Sequence, residues 1–475
     1  MISKKYIITI FTSFFILFGH YNYVLGQQNN TLYFMNRVPQ SSQLNPAIEN
    51  GCGLFIGLPV LSSIYMNFGN NSLSFNDIIY KGTGLQSDSL ITFLHPSQDI
   101  DDFLNKLKEK NIISTEFQTS LLSFGIQVKE IYFSFGIYDK LNFQISLPKD
   151  LATIVLKGNS EFIGETADFS HFGANANYYR EYALGASLKA LDQLTVGGRV
   201  KLLFGKANFS THDVDMGLYT SHSNDLLRLY SQMTINSSLP MIEVKKDSIG
   251  DFDGIATRDD FKPSDLIFGG ANAGCAIDLG ASFQLTDQIT LSGSIIDMGF
   301  IRWKNNVINI IQDGELEFTG LDVSSALDKD EDASFAEELM DEIDSTFTLS
   351  DRSDAYIKSI GTKLYVGGTY KLNENVSFGL LSRSQVTQKK FRQAVTLSAN
   401  VYVLKAISAS LSYSIMNNSY SNIGLGLGLR GGPVQFYLIS DGIPGMFLPH
   451  KTHSTNFHFG LNLIFGCNKG NKEEE

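Results

Sequence analysis

The sequence has no long hydrophobic run beyond its N-terminus. After residue 26, apolar residues never reach the roughly 18 in succession that indicate a membrane-spanning helix. A membrane protein built from a bundle of helices is therefore excluded. The open alternatives are a protein that crosses a membrane with strands and a secreted soluble all-β protein.

Basic residues and cysteines are also scarce. The 37 Lys and Arg are outnumbered by 49 Asp and Glu, so the formal net charge is −12. This balance excludes nucleic acid as a partner, because its binding depends on Lys and Arg that neutralise phosphates. Cys52, Cys275 and Cys467 are too scattered for a disulfide framework or a C-x-x-C metal site. We expect three single packed cysteines. The alternative is one disulfide between two of them, which an oxidising periplasm would allow.

The N-terminus has the features of a secretory signal. Lys4 and Lys5 precede an apolar stretch of about 13 residues, which is too short for a transmembrane anchor. Residues 1–26 are therefore predicted to be a signal peptide that is cut between Gly26 and Gln27. Loss of its two lysines takes the net charge from −12 to −14.

Strict alternation of apolar with small polar residues dominates the rest of the chain. In residues 407–415 every second residue is apolar or aromatic, and the residues between them are Ser408, Ser410, Ser412 and Ser414. Similar hairpins, each with a short turn, are predicted over residues 182–202, 277–295, 364–380 and 395–415. The 42 glycines and the 12% aromatic content also favour strands over helices.

The predicted strands are about 9 to 11 residues long, which is the length that crosses a bilayer at a tilt. The polar face carries Gly, Ser, Thr and Asn rather than the Lys and Glu of a solvent-facing strand. We therefore expect an all-β fold, a transmembrane antiparallel β-barrel of about 14 strands with its apolar face toward lipid. The barrel must close, because an open edge would leave unpaired backbone groups in hydrocarbon.

The predicted organisation follows from the spacing of these strands. Short turns are expected at the periplasmic end, and long loops and small helical insertions at the extracellular end. One insertion, residues 100–107, has the apolar spacing of a short amphipathic helix. The other predicted parts are an N-terminal plug or periplasmic segment at 27–50, the barrel at 51–466, long loops at 209–272 and 305–357, and a charged tail at 467–475.

Three motifs resemble ligand sites but fit them poorly. The acidic run at 328–332 lacks the Gly and the final Glu of a calcium loop, since Ala333 and Leu339 occupy those positions. The glycine run at 424–432 is not followed by a helix, so we interpret it as a strand and not as a phosphate loop. His450, His453 and His458 have no carboxylate or cysteine partner at ligand spacing.

No metal site, cofactor site or catalytic arrangement is therefore predicted, and the chain is not expected to be an enzyme. Arg199, Lys201 and Asp278 fall on the polar face of their strands and are predicted to point into the lumen. Such an inner face leaves room for water, for a plug or for a solute.

Three stretches resemble known families. Residues 36–47, which include Asn45, Pro46 and Ala47, are similar to the plug segment of FadL-type and PorP/SprF-like barrels. Residues 291–303 resemble the S-x-x-D-x-G-F-I-x-W strand of a Bacteroidota outer-membrane family of unknown function related to them. The last strand is similar to the C-terminal signal that the barrel-assembly machinery recognises, and the residues of this signal are His458, Gly460, Leu463 and Phe465.

The resemblance implies two functions. FadL-type barrels imply a plugged channel or transporter in the cell outer membrane, for small or hydrophobic solutes. PorP/SprF-like proteins imply the alternative, a scaffold of a type IX secretion or gliding machinery. The expected partners are outer-membrane lipid, the barrel-assembly machinery and, for the alternative, secretion-system proteins.

Overall fold

The computed structural model describes most of residues 29–466. The described residues are 29–48, 51–81, 89–222, 226–246, 248, 252–319, 348–387, 390–403, 406–416, 419–443, 445 and 452–466. The predicted signal peptide with its cleavage site, the acidic run at 328–332 and the tail at 467–475 lie outside these residues. None of the helices in the described residues has both the length and the apolar character needed to cross a membrane.

The structure consists almost entirely of strands. In chain order they are β1 (Leu54–Gly57), β2 (Ile64–Asn70), β3 (Ile79–Lys81), β4 (Leu90–Thr92), β5 (Lys110–Val128), β6 (Ile131–Pro148), β7 (Thr166–Asp168), β8 (Gly173–Leu191), β9 (Leu194–Thr220), β10 (Leu226–Ser238), β11 (Ile242–Lys246), β12 (Phe252–Thr257), β13 (Asn272–Gln284), β14 (Ile289–Trp303), β15 (Val307–Thr319), β16 (Thr348–Arg352), β17 (Tyr356–Ser359), β18 (Thr362–Lys371), β19 (Val376–Thr387), β20 (Lys390–Val403), β21 (Ile407–Met416), β22 (Ser419–Gly431), β23 (Val434–Ser440) and β24 (Ser454–Phe465). The helices are α1 (Ile100–Lys106), α2 (Lys149–Lys157) and α3 (Pro263–Phe268), and 3₁₀ turns occur at Leu32–Phe34, Pro39–Gln43, Phe75–Asp77 and Ser160–Phe162.

These strands close into an antiparallel barrel of 14 strands, which confirms the predicted fold class. β1 and β2 together form the first strand of the barrel. Both pair with β24 on one side and with β5 on the other, so they share one position in the wall. β17 and β18 likewise share one position beside β14. Closure pairs the first and last strands, so the wall has no free edge in this region.

The apolar residues point outward and the small polar residues inward. In β21, Leu411 and Ile415 are 54% and 43% exposed, whereas Ser410 and Ser414 are 1% exposed each. A soluble sheet protein would bury the opposite face. The exterior is therefore the oily surface, as the alternation predicts.

The two ends of the barrel differ. At the short-turn end, β5–β6, β8–β9, β13–β14 and β18–β19 are joined by tight turns, whereas the insertions at the long-loop end contain helices and additional strands. α1 is one of these insertions, and its Phe103 and Leu104 are buried against neighbouring apolar residues that include Leu156 of α2. The amphipathic spacing at residues 100–107 therefore corresponds to a helix.

The regions predicted as long loops contain much regular structure. β9 continues to Thr220, and its upper part pairs with β10 rather than with β13. β10 pairs in turn with β15, and β15 with β16. Much of 209–272 and part of 305–357 therefore form a sheet that extends the barrel wall beyond its long-loop end.

Candidate functional site

The N-terminal segment lies inside the barrel. Residues 29–48, called the plug from here on, fold as two 3₁₀ turns with almost every side chain buried. Their apolar side chains pack against inward-facing residues of several strands. This cluster contains Leu32, Tyr33, Phe34, Met35, Val38 and Leu44 of the plug, and Ile296, Tyr365, Leu381, Tyr437 and Ile439 of the wall.

Polar contacts fix the plug at its start and in its middle. Asp441, just after β23, accepts hydrogen bonds from the backbone N–H of Thr31 at 2.8 Å and of Asn30 at 3.1 Å. The side-chain amides of Gln40 and Asn462 form a reciprocal pair, with N···O distances of 2.9 and 3.0 Å. All of these groups are buried, and buried polar groups that have partners specify one arrangement.

The predicted plug residues lie against a notch in the wall. Asn45 accepts a hydrogen bond from the N–H of Ala47 at 2.9 Å, which makes a tight turn around Pro46. Gly197 of β9 and Gly280 of β13 are paired directly across the sheet beneath this turn. A Cβ at Gly197 would lie 2.4 Å from the Pro46 oxygen, and a Cβ at Gly280 would lie 2.1 Å from Asn45 Oδ1. Only glycines leave room for the turn.

The glycine run of β22 serves the same purpose on another side of the plug. A Cβ at Gly424 would lie 2.4 Å from Thr31 Oγ1, and a Cβ at Gly426 would lie 2.2 Å from the sulfur of Met35. The run is part of a strand, as predicted. Its inward glycines therefore shape the wall to the plug.

The predicted lumen residues Arg199, Lys201 and Asp278 all face inward and belong to one buried ion cluster. Lys201 Nζ lies 2.8 Å from Asp278 Oδ2 and 2.6 Å from Asp297 Oδ1. Arg199 lies 3.6 Å from Asp278, and it also donates a hydrogen bond to the backbone oxygen of Ser42 in the plug.

Four further members of the cluster, Lys140, Glu181, Asp297 and Lys363, are not among the lumen residues predicted from the sequence. Lys140 of β6 lies 2.7 Å from Glu181 of β8, and Lys363 of β18 lies 3.0 Å from Asp297 Oδ2. Asp297 itself also belongs to the sequence motif at 291–303. The cluster thus joins six neighbouring strands of the wall, because Lys201, Asp278 and Asp297 come from β9, β13 and β14.

A β-bulge turns Asp297 into the lumen. The register of β13 and β14 shifts at Ile277/Leu279, and Asp297 has a positive φ of 58°. Its N–H donates to Asp278 Oδ1 at 2.8 Å, which holds the bulge in place. Bulges commonly re-aim a side chain in this way. The bulge also requires a glycine two residues later, because a Cβ at Gly299 would lie 2.2 Å from the Cys275 oxygen.

A cavity lies on the long-loop side of the plug, next to the ion cluster. This lumen cavity has a volume of about 160 Å³ and is lined by plug residues such as Gln43 and by charged and amide side chains of the wall. A second cavity of about 330 Å³ opens at the short-turn end, between Asn36 of the plug and turn residues such as Asp287 and Asn373. The plug therefore lies between the two cavities.

The predicted assembly-signal residues are in the closing strand β24. His458 is buried in the lumen, where its ring nitrogens contact Ser63 Oγ at 2.8 Å and Asn29 Oδ1 at 3.0 Å. Phe465 faces outward and is exposed. A Cβ at Gly460 would lie 2.1 Å from the Ser62 oxygen. Leu463 pairs with Ile56 and Val434.

Within the described ranges, no three His, Cys, Asp or Glu side chains are placed to hold a metal ion. His453 lies directly before β24, and His450 lies outside the described residues. Cys52 is disulfide-bonded, whereas Cys275 is a free thiol on the outer wall.

The barrel is closed, its exterior is apolar, and its polar lumen is filled by the N-terminal segment. This is the architecture of a transmembrane β-barrel protein. Residues 46–441 match DUF5723, a family of unknown function, and the chain belongs to that family.

Several solved outer-membrane proteins have a similar fold. A Pseudomonas aeruginosa FadL homologue is 9% identical, with a TM-score of 0.41 over 90% of this chain and 94% of that one. The Ralstonia pickettii toluene transporter TbuX is 10% identical, with a TM-score of 0.38 over 90% and 93%. The Pseudomonas putida toluene transporter TodX is 9% identical, with a TM-score of 0.32 over 93% of both chains.

At these identities and TM-scores, the likeness carries no argument about the function of this chain. No curated protein sequence is similar to this chain. The expected resemblance to FadL-type barrels is present in this weak form, and the relation to PorP/SprF-like proteins stays a prediction.

Proposed function

We propose that this protein is an outer-membrane channel or transporter for small polar solutes and that its plug must move for solute to pass. The observation that supports this proposal most directly is the position of the plug between two polar cavities in one barrel. A solute that enters at the long-loop end meets the lumen cavity first, and the plug then separates it from the cavity at the short-turn end.

Membrane insertion follows from the exterior of the wall. Outward residues such as Leu184, Val200 and Leu397 are 62%, 59% and 58% exposed. So much exposed apolar surface is unfavourable in water and favourable against acyl chains. The short-turn end would then face the periplasm and the long-loop end the exterior.

The lining of the lumen favours polar solutes over hydrophobic ones. The lumen cavity is bordered by amides such as Asn142 and Asn177 and by charged groups such as Lys140 and Glu181. A hydrophobic compound would have to displace water from these groups without replacing their hydrogen bonds. The proposal includes no covalent chemistry and therefore no enzymatic activity.

Permeability of proteoliposomes tests the proposal. Liposome swelling should occur with arabinose and glycine and should be abolished when the plug is tethered to the wall. The tether is a short bis-maleimide between cysteines in Gln40→Cys/Asn462→Cys, since these two side chains contact each other directly. The Gln40→Cys variant, treated in the same way, is the control. If neither the wild type nor a variant with a loosened plug is permeable, the channel proposal is wrong.

The scaffold alternative is favoured by one observation. β9 has 27 residues, whereas about 9 to 11 are enough to cross a bilayer, and its upper part forms a sheet with β10 and β15. This sheet is a rigid surface outside the membrane that a secretion-system protein would be able to contact. Crosslinking in native membranes should then recover a stoichiometric partner, and recovery of only lipid and assembly factors would count against it.

A further inference from the structure

Positive charge is concentrated in the lumen cavity although the chain as a whole is acidic. Among its described lining residues, six are Lys or Arg and three are Asp or Glu, while the formal net charge of the chain is −12. The cations are Lys140, Arg199, Lys201, Lys358, Lys363 and Arg392. A cavity lined by one sign of charge concentrates counter-ions of the other sign.

Two of the three carboxylates are already engaged by lysines of the wall. Glu181 lies 2.7 Å from Lys140, and Asp297 lies 2.6 Å from Lys201 and 3.0 Å from Lys363. Each is therefore neutralised within the ion cluster. The third, Glu116, is in β5. Asp278 is not part of the lining but lies 2.8 Å from Lys201, so six cations face four carboxylates and an excess of two positive charges remains.

Lys358 carries part of this excess. Its Nζ donates a hydrogen bond to Asn175 Oδ1 at 2.7 Å. Within the described part of the chain, no carboxylate forms an ion pair with it, unlike Lys140, Lys201 and Lys363. A charge held in a partly dehydrated site is stabilised when a counter-charge is bound beside it.

Neutral hydrogen-bonding groups surround these cations. The amide side chains that line the cavity are Asn29 and Gln43 of the plug and Gln118, Asn142, Gln144, Asn175, Asn177 and Gln385 of the wall. Amides supply donors to an oxyanion and both donors and acceptors to hydroxyl groups. The cavity thus has the chemistry of a site for a hydrophilic anion, because polar and charged side chains outnumber the apolar ones in its lining.

We propose that the lumen cavity binds a small hydrophilic oxyanion, a carboxylate or a phosphate, with Lys358 as a direct ligand. This inference rests on the proposed channel function and specifies its solute class. The volume of about 160 Å³ corresponds to roughly five water molecules. Inorganic phosphate and a four-carbon dicarboxylate are therefore of suitable size.

Equilibrium dialysis of the purified full-length protein tests the site. Radiolabelled phosphate and succinate should bind saturably to the wild type, and Lys358→Gln should bind at least about tenfold more weakly because it loses a charge-assisted hydrogen bond. Lys358→Arg keeps the charge and should retain most of the affinity. Lys245→Gln, the same change on the exposed β11, is the matched control and should bind like the wild type.

Folding of each variant is checked by its heat-dependent migration in SDS gels, so that loss of binding is not confused with loss of the barrel. The inference is overturned if the wild type binds neither anion saturably, or if Lys358→Gln and Lys245→Gln bind equally well. Anion binding without permeability would instead reject the channel while leaving the site. Permeability to neutral solutes without anion binding would reject the anion site while leaving the channel.

Discussion

Replacing one glycine of the wall should displace the plug while leaving the barrel intact. Gly197 lies under the turn formed by Asn45 and Pro46, and a Cβ there would be 2.4 Å from the Pro46 oxygen and 2.8 Å from the Ala47 nitrogen. These are backbone atoms, which cannot rotate away as a side chain would. In Gly197→Ala, therefore, either the plug moves or the wall distorts.

The size of the effect follows from the crowding. Overpacking of a close contact typically costs about 1–3 kcal/mol, which changes the ratio of displaced to docked plug by about 5- to 150-fold. The adjacent Gly198 provides the control, because a Cβ there would have its nearest neighbours at 3.7 Å. Both changes restrict the unfolded chain equally, by roughly 0.4–1 kcal/mol, so this contribution cancels in the comparison.

Trypsin detects the displaced plug. The bond after Arg37 is protected while the plug is docked, because the Arg37 carbonyl accepts a hydrogen bond from Gln435 at 2.8 Å and its guanidinium lies 4.4 Å from the Tyr402 ring centroid. The cleavage rate follows the open population when reclosing is fast. Cleavage at Arg37 should therefore be about 5- to 150-fold faster in Gly197→Ala than in Gly198→Ala. Equal rates in the two variants would refute the assigned contact between the plug and β9.

Three further perturbations test other contacts. Asp441→Asn removes the charge that accepts hydrogen bonds at the start of the plug and should accelerate the same tryptic cleavage, since such a bond contributes about 1.5–3 kcal/mol; an unchanged rate would exclude that role. Asp297→Asn removes the counter-charge of Lys363, whereas Lys140 and Lys201 keep Glu181 and Asp278. The loss should destabilise the barrel by about 3–5 kcal/mol, measured as a lower unfolding temperature in SDS gels. Outside the membrane, burial acts to raise the pKa of Asp77, but hydrogen bonds from Lys106 and Ser74 outweigh it and hold this pKa below its usual value. The loop should therefore have this stabilisation above the usual carboxyl pKa and lose it as the pH falls through the lowered pKa. Amide exchange of the Phe75–Asp77 turn would show the loss as lower protection factors in acid, after correction for the slower intrinsic exchange at low pH.

The fold was predictable because its main signal is local. Alternation with a period of two sets the orientation of every second side chain, as Leu411 and Ser410 illustrate, and tight turns pair successive strands without long-range information. The prediction fails where that signal stops. Beyond the membrane a strand needs no apolar face. The pattern therefore predicts a loop from residue 209, where β9 in fact continues through residues such as His212 and Asp215.

The candidate site was predictable only in part. Arg199, Lys201 and Asp278 follow the alternation of regular strands and face the lumen as expected. Counting in the same way from Leu291 and Ile295 would place Asp297 on the lipid face, since all three numbers are odd. The bulge at Asp297 reverses this parity, and a bulge depends on the pairing with β13, which a single strand's pattern does not contain.

The glycines of the lumen face connect the two parts of the protein that the sequence shows separately. In a wide aqueous pore, serine would line the lumen as well as glycine does. Glycine within a strand is also less favourable than alanine by roughly 0.5–1 kcal/mol. Gly197, Gly280 and Gly426 each contact a plug residue that would collide with a Cβ. Their presence in the wall is therefore explained by the plug, and the segment around Asn45 and Pro46 by the notch that receives it. A barrel of this sequence without its plug would expose a lumen shaped for a peptide that is absent, so the plugged state is the ground state from which the proposed transport would begin.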